Sequence, residues 1–119
     1  MSQRKSVVVC CTLPEDGLRT RITEIEDTIA KQITEIRELD DGYALRFRAE
    51  PGIIEDLGRF IALERVCCAF LDFSLRVEAG DGPIWLELTG SGEAKSFLRP
   101  AIERWMARAV SPPGSRSPP

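Results

Sequence analysis

The chain has 119 residues, of which 43% are hydrophobic and 29% are charged, and its formal net charge is −3. A chain of this length and composition can form one globular domain and bury a core without disulfide staples. The mildly acidic charge argues against a nucleic-acid or membrane-surface partner bound through charge, and no apolar stretch has the length of a membrane span. We therefore expect a cytoplasmic protein with no nucleic-acid or membrane partner, whose four cysteines are thiols in a reducing compartment.

The first predicted unit is a strand followed by a helix. Residues 6–11 are rich in valine, which is typical of a strand. Thr12 and Glu15 form a capping box, which predicts a helix that begins there and runs to about Gln32. Apolar residues at steps of three and four support this helix, and they are Leu18, Ile22, Ile25 and Ile29.

A hairpin is predicted after the first helix. Residues 33–39 form its weaker strand, and the alternation of apolar and polar residues from Tyr43 to Arg48 predicts the partner strand. The turn between them contains Asp40, Asp41 and Gly42, and we expect Gly42 to adopt a positive φ there at little cost.

The second half of the chain predicts a helix, two strands and a last helix. Pro51 opens the helix, which ends near Cys67 or Cys68, and its expected apolar face is Ile54, Leu57 and Ile61 with Ile53 and Phe60 beside them. Alternation predicts strands over residues 71–77 and 84–89. Pro100 is expected to kink or divide the last helix. The buried stripe predicted for that helix is Phe97, Leu98, Ala101, Ile102, Trp105 and Met106.

This order of elements, β-α-β-β-α-β-β-α, predicts an α+β domain with a mostly antiparallel sheet. The first six elements match a ferredoxin-like split βαβ arrangement (β-α-β-β-α-β), to which the C-terminal strand and helix would be added at one sheet edge. We expect the single α+β domain to span residues 1–110 and a disordered Ser/Pro-rich tail to span residues 111–119.

The predicted topology brings two pairs of adjacent cysteines to one end of the sheet. Cys10 and Cys11 end the first strand, and Cys67 and Cys68 end the second helix. The first helix begins at the same end, and its positive dipole end favours thiolates. Neighbouring residues on a strand point to opposite faces, so we expect Cys11 to reach the helices and Cys10 to join the core.

The candidate metal ligands are therefore Cys11, Cys67 and Cys68, with Glu64 and Cys10 as auxiliary candidates. Glu64 precedes Cys68 by four residues and shares its helix face, where it can act as a fourth ligand, as a proton acceptor, or simply as the partner of Arg65 or another arginine. The chain contains no histidine, which excludes His-based zinc sites, Cys-His nucleophile pairs and Ser-His-Asp triads.

Three functions stay open at this point. Thiolates select soft ions, so the first hypothesis is a binding module for Zn, Cu(I), Hg(II) or an arsenite-type species. The second is a thiolate-dependent enzyme, for thiol redox chemistry or for carbon–metal bond cleavage in which Glu64 or Asp72 supplies a proton. The third is a structural or interaction domain with inert core cysteines. Trp105 and Met106 would then offer a homodimer surface.

Two short motifs resemble those of a known group of proteins. The run from Glu64 to Phe70 reads Glu-Arg-Val-Cys-Cys-Ala-Phe, and Cys-Thr-Leu stands at residues 11–13. These resemble the Glu-Arg-x-Cys-Cys-x-Phe and Cys-Thr-Leu motifs of small, largely uncharacterised bacterial proteins, and the resemblance extends from Cys11 to Leu98. Ala69 replaces the proline that these proteins usually carry. The resemblance implies that Cys11, Cys67 and Cys68 are the motif cysteines. Some of the proteins in this group occur in heavy-metal resistance settings, but the resemblance identifies no ligand.

Overall fold

The fold is seen in a computed structural model. The structure describes the backbone of residues 16–114 and the side chains of residues 20–108. The elements in chain order are α1 (Asp16–Ala30), β1 (Ile33–Leu39), β2 (Gly42–Phe47), α2 (Ile53–Cys67), β3 (Asp72–Val77), β4 (Ile84–Thr89) and α3 (Ala94–Gly114). The strand predicted over residues 6–11 and the capping box lie outside the described residues. None of the described helices is long and apolar enough to cross a membrane.

The four described strands form one antiparallel sheet in the order β1-β2-β4-β3. Together with the three helices, this sheet is an α+β fold consistent with a ferredoxin-like arrangement plus an additional C-terminal helix, which confirms the predicted fold class. The edge position predicted for the last strand is wrong, because β4 lies between β2 and β3. The apolar residues of β4, which are Ile84, Leu86 and Leu88, are all buried, because β4 has a neighbouring strand on each side.

The apolar face of the sheet carries the core. Leu86 pairs with Leu45 on one side and with Leu75 on the other, so these residues project from the same face. Residues from all three helices pack with that face in one continuous hydrophobic cluster. The opposite face carries the alternate residues of the strands, such as Arg37 and Glu87, which are exposed.

The buried face of α2 differs from the predicted one by one position. It consists of Ile53, Leu57, Phe60, Glu64 and Cys67, whereas Ile54 is 46% exposed. These positions follow steps of four, three, four and three residues, which is the period of one helix face. A carboxylic acid therefore occupies a core position of this helix, directly before the cysteine pair.

The last helix also departs from expectation at two points. It runs without a break through Pro100, so the predicted division is not observed. Trp105 is 4% exposed, and its ring packs edge-on against Phe60 with centroids 5.9 Å apart, so it cannot form the predicted dimer surface. Met106 is 44% exposed. The helix continues beyond residue 110 and residues 115–119 lie outside the described range, so the tail boundary stays a prediction.

Gly42 has a different role from the predicted one. It is the first residue of β2, and the glycines with a positive φ in the described part of the chain are Gly52, Gly80 and Gly92. A Cβ at Gly42 would collide with the backbone carbonyl oxygen of Leu88 on the neighbouring strand. Glycine is required there by the close approach of two strands and not by the turn.

Candidate metal centre

The C-terminal end of α2 positions Glu64, Cys67 and Cys68. The helix ends at Cys67, and Cys68 leaves the helical conformation with φ −118° and ψ 72°. Its backbone N–H still donates a hydrogen bond to the carbonyl oxygen of Glu64 at 2.6 Å. This turn places the Sγ of Cys68 3.5 Å from the Sγ of Cys67 and 3.3 Å from Oε1 of Glu64. The structure thus brings together two of the three predicted ligands and the predicted auxiliary carboxyl.

The three side chains have the geometry of a group that can hold a metal ion. One ligand atom from each lies within 4.8 Å of the other two. Two thiolates on a tetrahedral zinc ion, each about 2.3 Å from the metal, are about 3.8 Å apart. The observed separation of 3.5 Å between the two sulfurs is therefore close to the separation that zinc requires.

The surroundings of the two cysteines are apolar. Cys67 and Cys68 form a second hydrophobic cluster with Ile22 of α1, and the half-buried residues packed against it are Leu63, Phe70, Leu71 and Phe97. Cys67 is 5% and Cys68 2% exposed. Exclusion of water strengthens any electrostatic interaction at this point, and the negative dipole end of α2 favours a cation. The contact with Ile22 also places the first half of α1 against the cysteines, as the topology predicted.

The carboxyl group of Glu64 is held in its neutral form. Burial is the main cause that raises its pKa to about 9, and a hydrogen bond with Glu26 and the negative charge of Glu26 raise it further. Glu26 lies on α1, and sequence reasoning did not find it. The sequence does indicate that Glu26 lies near the core, because it follows Ile22 by one helical turn and stands beside the apolar stripe of that helix. At neutral pH Glu64 therefore carries a proton next to the cysteines.

The two cysteines differ in oxidation state. Cys68 is disulfide-bonded, whereas Cys67 carries a thiol. The expectation that all four cysteines are thiols is therefore wrong for Cys68. In the reduced protein, the thiol of Cys68 donates the 3.3 Å hydrogen bond to Oε1 of Glu64. An ion can use both sulfurs only after reduction, because the thiolate is the metal-binding form.

The remaining predicted site residues are not part of the described group. Cys10 and Cys11 lie outside the described residues, so the third sulfur ligand stays a prediction. Asp72 is the first residue of β3 and is exposed, whereas Glu64 is only 6% exposed. Of the two carboxylic acids considered as proton donors, only Glu64 belongs to the cysteine group.

Comparison of the chain with protein-family models, with curated proteins and with solved structures finds no match. The chemistry of the site itself therefore carries the functional argument. That chemistry is a buried carboxyl group and two adjacent sulfurs at the end of one helix.

Proposed function

We propose that the reduced protein is a small cytoplasmic thiol protein that binds one thiophilic metal or metalloid ion through Cys67, Cys68 and Glu64, with Cys11 as a further sulfur ligand. The observation that supports this proposal is the convergence of two sulfurs and one carboxyl oxygen within 4.8 Å, all on buried side chains. Thiolate ligands select soft or borderline ions, of which Zn, Cu(I), Hg(II) and arsenite-type species are the candidates. The resemblance of the motifs to those of bacterial proteins adds heavy-metal resistance as the proposed setting.

Glu64 favours a binding site over an inert core. A buried carboxyl group reduces stability unless its polar atoms are well paired, and here its partners are another carboxyl group and a sulfur. A core without a function would gain stability from an apolar residue at this position, between Phe60 and Cys67 on the same helix face. A cation among these groups would be neutralised by the thiolates and the carboxylate together.

Native mass spectrometry of the reduced protein tests this proposal. The protein is titrated separately with zinc, cuprous and mercuric ions, and we expect about one ion per chain. Cys67→Ser and Cys68→Ser should each weaken uptake by at least about tenfold, since each removes a thiolate. Val66→Ser is the matched control, because Val66 precedes the cysteine pair, is 63% exposed and has no ligand atom in its side chain. Equal uptake by the two site variants, the control and the unmodified protein would overturn the proposal. The same spectra report the number of subunits.

A further inference from the structure

A cavity of about 360 Å³ adjoins the cysteine group. It lies between α2 and α3 above the apolar face of the sheet, and Cys68 and Glu64 form part of its lining. Its walls include four aromatic rings, those of Phe60, Phe73, Phe97 and Trp105. A volume of this size falls within the range of small-molecule sites, roughly 300–1,000 Å³. The candidate ligands therefore border a space much larger than a single ion needs.

The cavity reaches the surface along one side of α3. Ser96, Pro100 and Arg104 contribute to its lining and are all exposed. Pro100 has no backbone N–H, so the carbonyl oxygen of Ser96 receives no hydrogen bond from it within the helix. Small side chains at Ser96 and Ala101 leave space between this helix and the aromatic walls. A small ligand can thus approach Cys68 from solvent through the gap beside α3.

We propose that this cavity holds the apolar organic group of an organometallic ligand, whose soft metal or metalloid atom is bound by the thiolate of Cys68. This inference rests on the proposed function and specifies its ligand class. A soft ion that carries one aryl or alkyl group keeps at least one coordination position for a thiolate. An external thiol first reduces the disulfide of Cys68 and is itself oxidised to a disulfide. A sulfur–metal bond then forms at Cys68, the thiol proton passes to solvent, and the weaker ligand that the metal brought with it leaves.

The chemistry of the cavity matches both parts of such a ligand. Cys68 supplies the soft donor at one point of the lining, while the aromatic rings supply a surface against which an apolar group is removed from water. A hydrated inorganic ion would gain nothing from these rings. The cavity therefore distinguishes ligands by the organic group that they carry, while the sulfur atoms select the metal.

A comparison of methylmercury with phenylmercury tests this inference, since both are monofunctional and differ only in the organic group. Their affinities for the reduced protein are measured in competition with glutathione, which corrects for the strength of the sulfur–mercury bond itself. We expect phenylmercury to bind at least about tenfold more tightly than methylmercury because it buries more apolar surface. Ser96→Phe and Ala101→Phe fill the cavity and should weaken phenylmercury binding about tenfold while changing methylmercury binding less than about twofold.

Ala107→Phe is the matched control, because Ala107 lies exposed on the same helix and does not line the cavity. Circular dichroism and thermal unfolding verify that each variant is folded, and the exposed position of Ser96 makes Ser96→Phe the safer of the two. Two results would overturn the inference if inorganic mercuric ion still binds. One is an equal affinity for the two organomercurials, and the other is a phenylmercury affinity in the filled variants that equals that of the unmodified protein. If mercuric ion and both organomercurials fail to bind, the proposed function falls, and this inference falls with it.

Discussion

The carboxyl oxygen Oε1 of Glu64 lies 3.3 Å from the Sγ of Cys68, and both side chains are buried. One helical turn and a non-helical residue at its end create this contact, because Cys68 follows the last residue of α2 and turns back toward Glu64. The contact joins a group that titrates with pH to a sulfur that changes with redox state. Both properties lead to measurable predictions.

Replacement of Glu64 should change how stability depends on pH. Its pKa is raised to about 9 in the folded protein, mainly by burial. In the unfolded chain Glu64 has the ordinary pKa of 4.5, so it loses its proton at a lower pH than in the folded protein. The contribution of Glu64 to the free energy of unfolding is therefore complete below that unfolded pKa, and it is lost as the pH rises toward 9. The free energy of unfolding of the unmodified protein should fall by up to about 1.4 kcal/mol per pH unit across this range, and Glu64→Gln should abolish that fall. Urea unfolding of the metal-free protein at pH 5.5 and 8 measures the difference. Glu103→Gln, at an exposed position, should keep the original slope, and an unchanged slope in Glu64→Gln would contradict the burial argument.

Ion uptake should depend on the redox state of Cys68. Protein prepared without reductant should bind mercuric or zinc ion at least about tenfold more weakly than reduced protein, because the disulfide sulfur of Cys68 is not a thiolate. Alkylation with iodoacetamide after denaturation, followed by mass measurement, reports the state of the cysteines. The oxidised protein should react at about two fewer cysteines, since one disulfide consumes two thiols. Equal uptake in the two states would show that Cys68 is not a ligand.

The period of the hydrophobic pattern predicted the helices and strands but not the order of the strands in the sheet. Alternation over residues 71–77 and 84–89 identified both C-terminal strands, because one face of each strand packs on the helices. It did not place β4 between β2 and β3, since the order of strands depends on contacts between distant residues. The complete burial of Leu86 is the physical sign of that inner position.

The candidate site was predicted in part for a similar reason. Helical spacing placed Glu64, Cys67 and Cys68 on one surface, and the structure confirms that they meet. The contribution of Glu26 comes from a different helix, so only the packing of α1 on α2 reveals it. The cavity beside Cys68 is likewise a product of tertiary packing, because its walls belong to elements that are far apart in the chain.

The close approach of β2 and β4 can be tested at Gly42. Gly42→Ala should lower the free energy of unfolding by about 2 kcal/mol or more, because its Cβ would collide with the backbone at Leu88. Chemical denaturation of the two proteins measures this change. Gly58→Ala is a matched control on the exposed side of α2, where a Cβ meets no neighbouring atom. It should raise stability by about 0.5–1 kcal/mol, and a neutral Gly42→Ala would show that the strands are farther apart than described here.

The position of α3 over the core predicts a large effect at Trp105. Trp105→Ala should lower the free energy of unfolding by about 3–5 kcal/mol, since it removes a buried ring that contacts Phe60. Met106→Ala should change it by less than about 0.5 kcal/mol, because Met106 is 44% exposed. Thermal or urea unfolding provides both values. Similar small effects at the two positions would contradict the packing of this helix face against α2.

X-ray absorption spectroscopy of the zinc-loaded, reduced protein tests the central claim most directly, because it counts the atoms bound to the metal. We predict a shell of at least two sulfur atoms at about 2.3 Å, and we predict that Cys67→Ser or Cys68→Ser removes one sulfur from it. Val66→Ser, an exposed substitution beside the cysteine pair, should leave the shell unchanged. A first shell made only of nitrogen or oxygen atoms at about 2.0–2.2 Å would contradict the assignment of Cys67 and Cys68 as metal ligands.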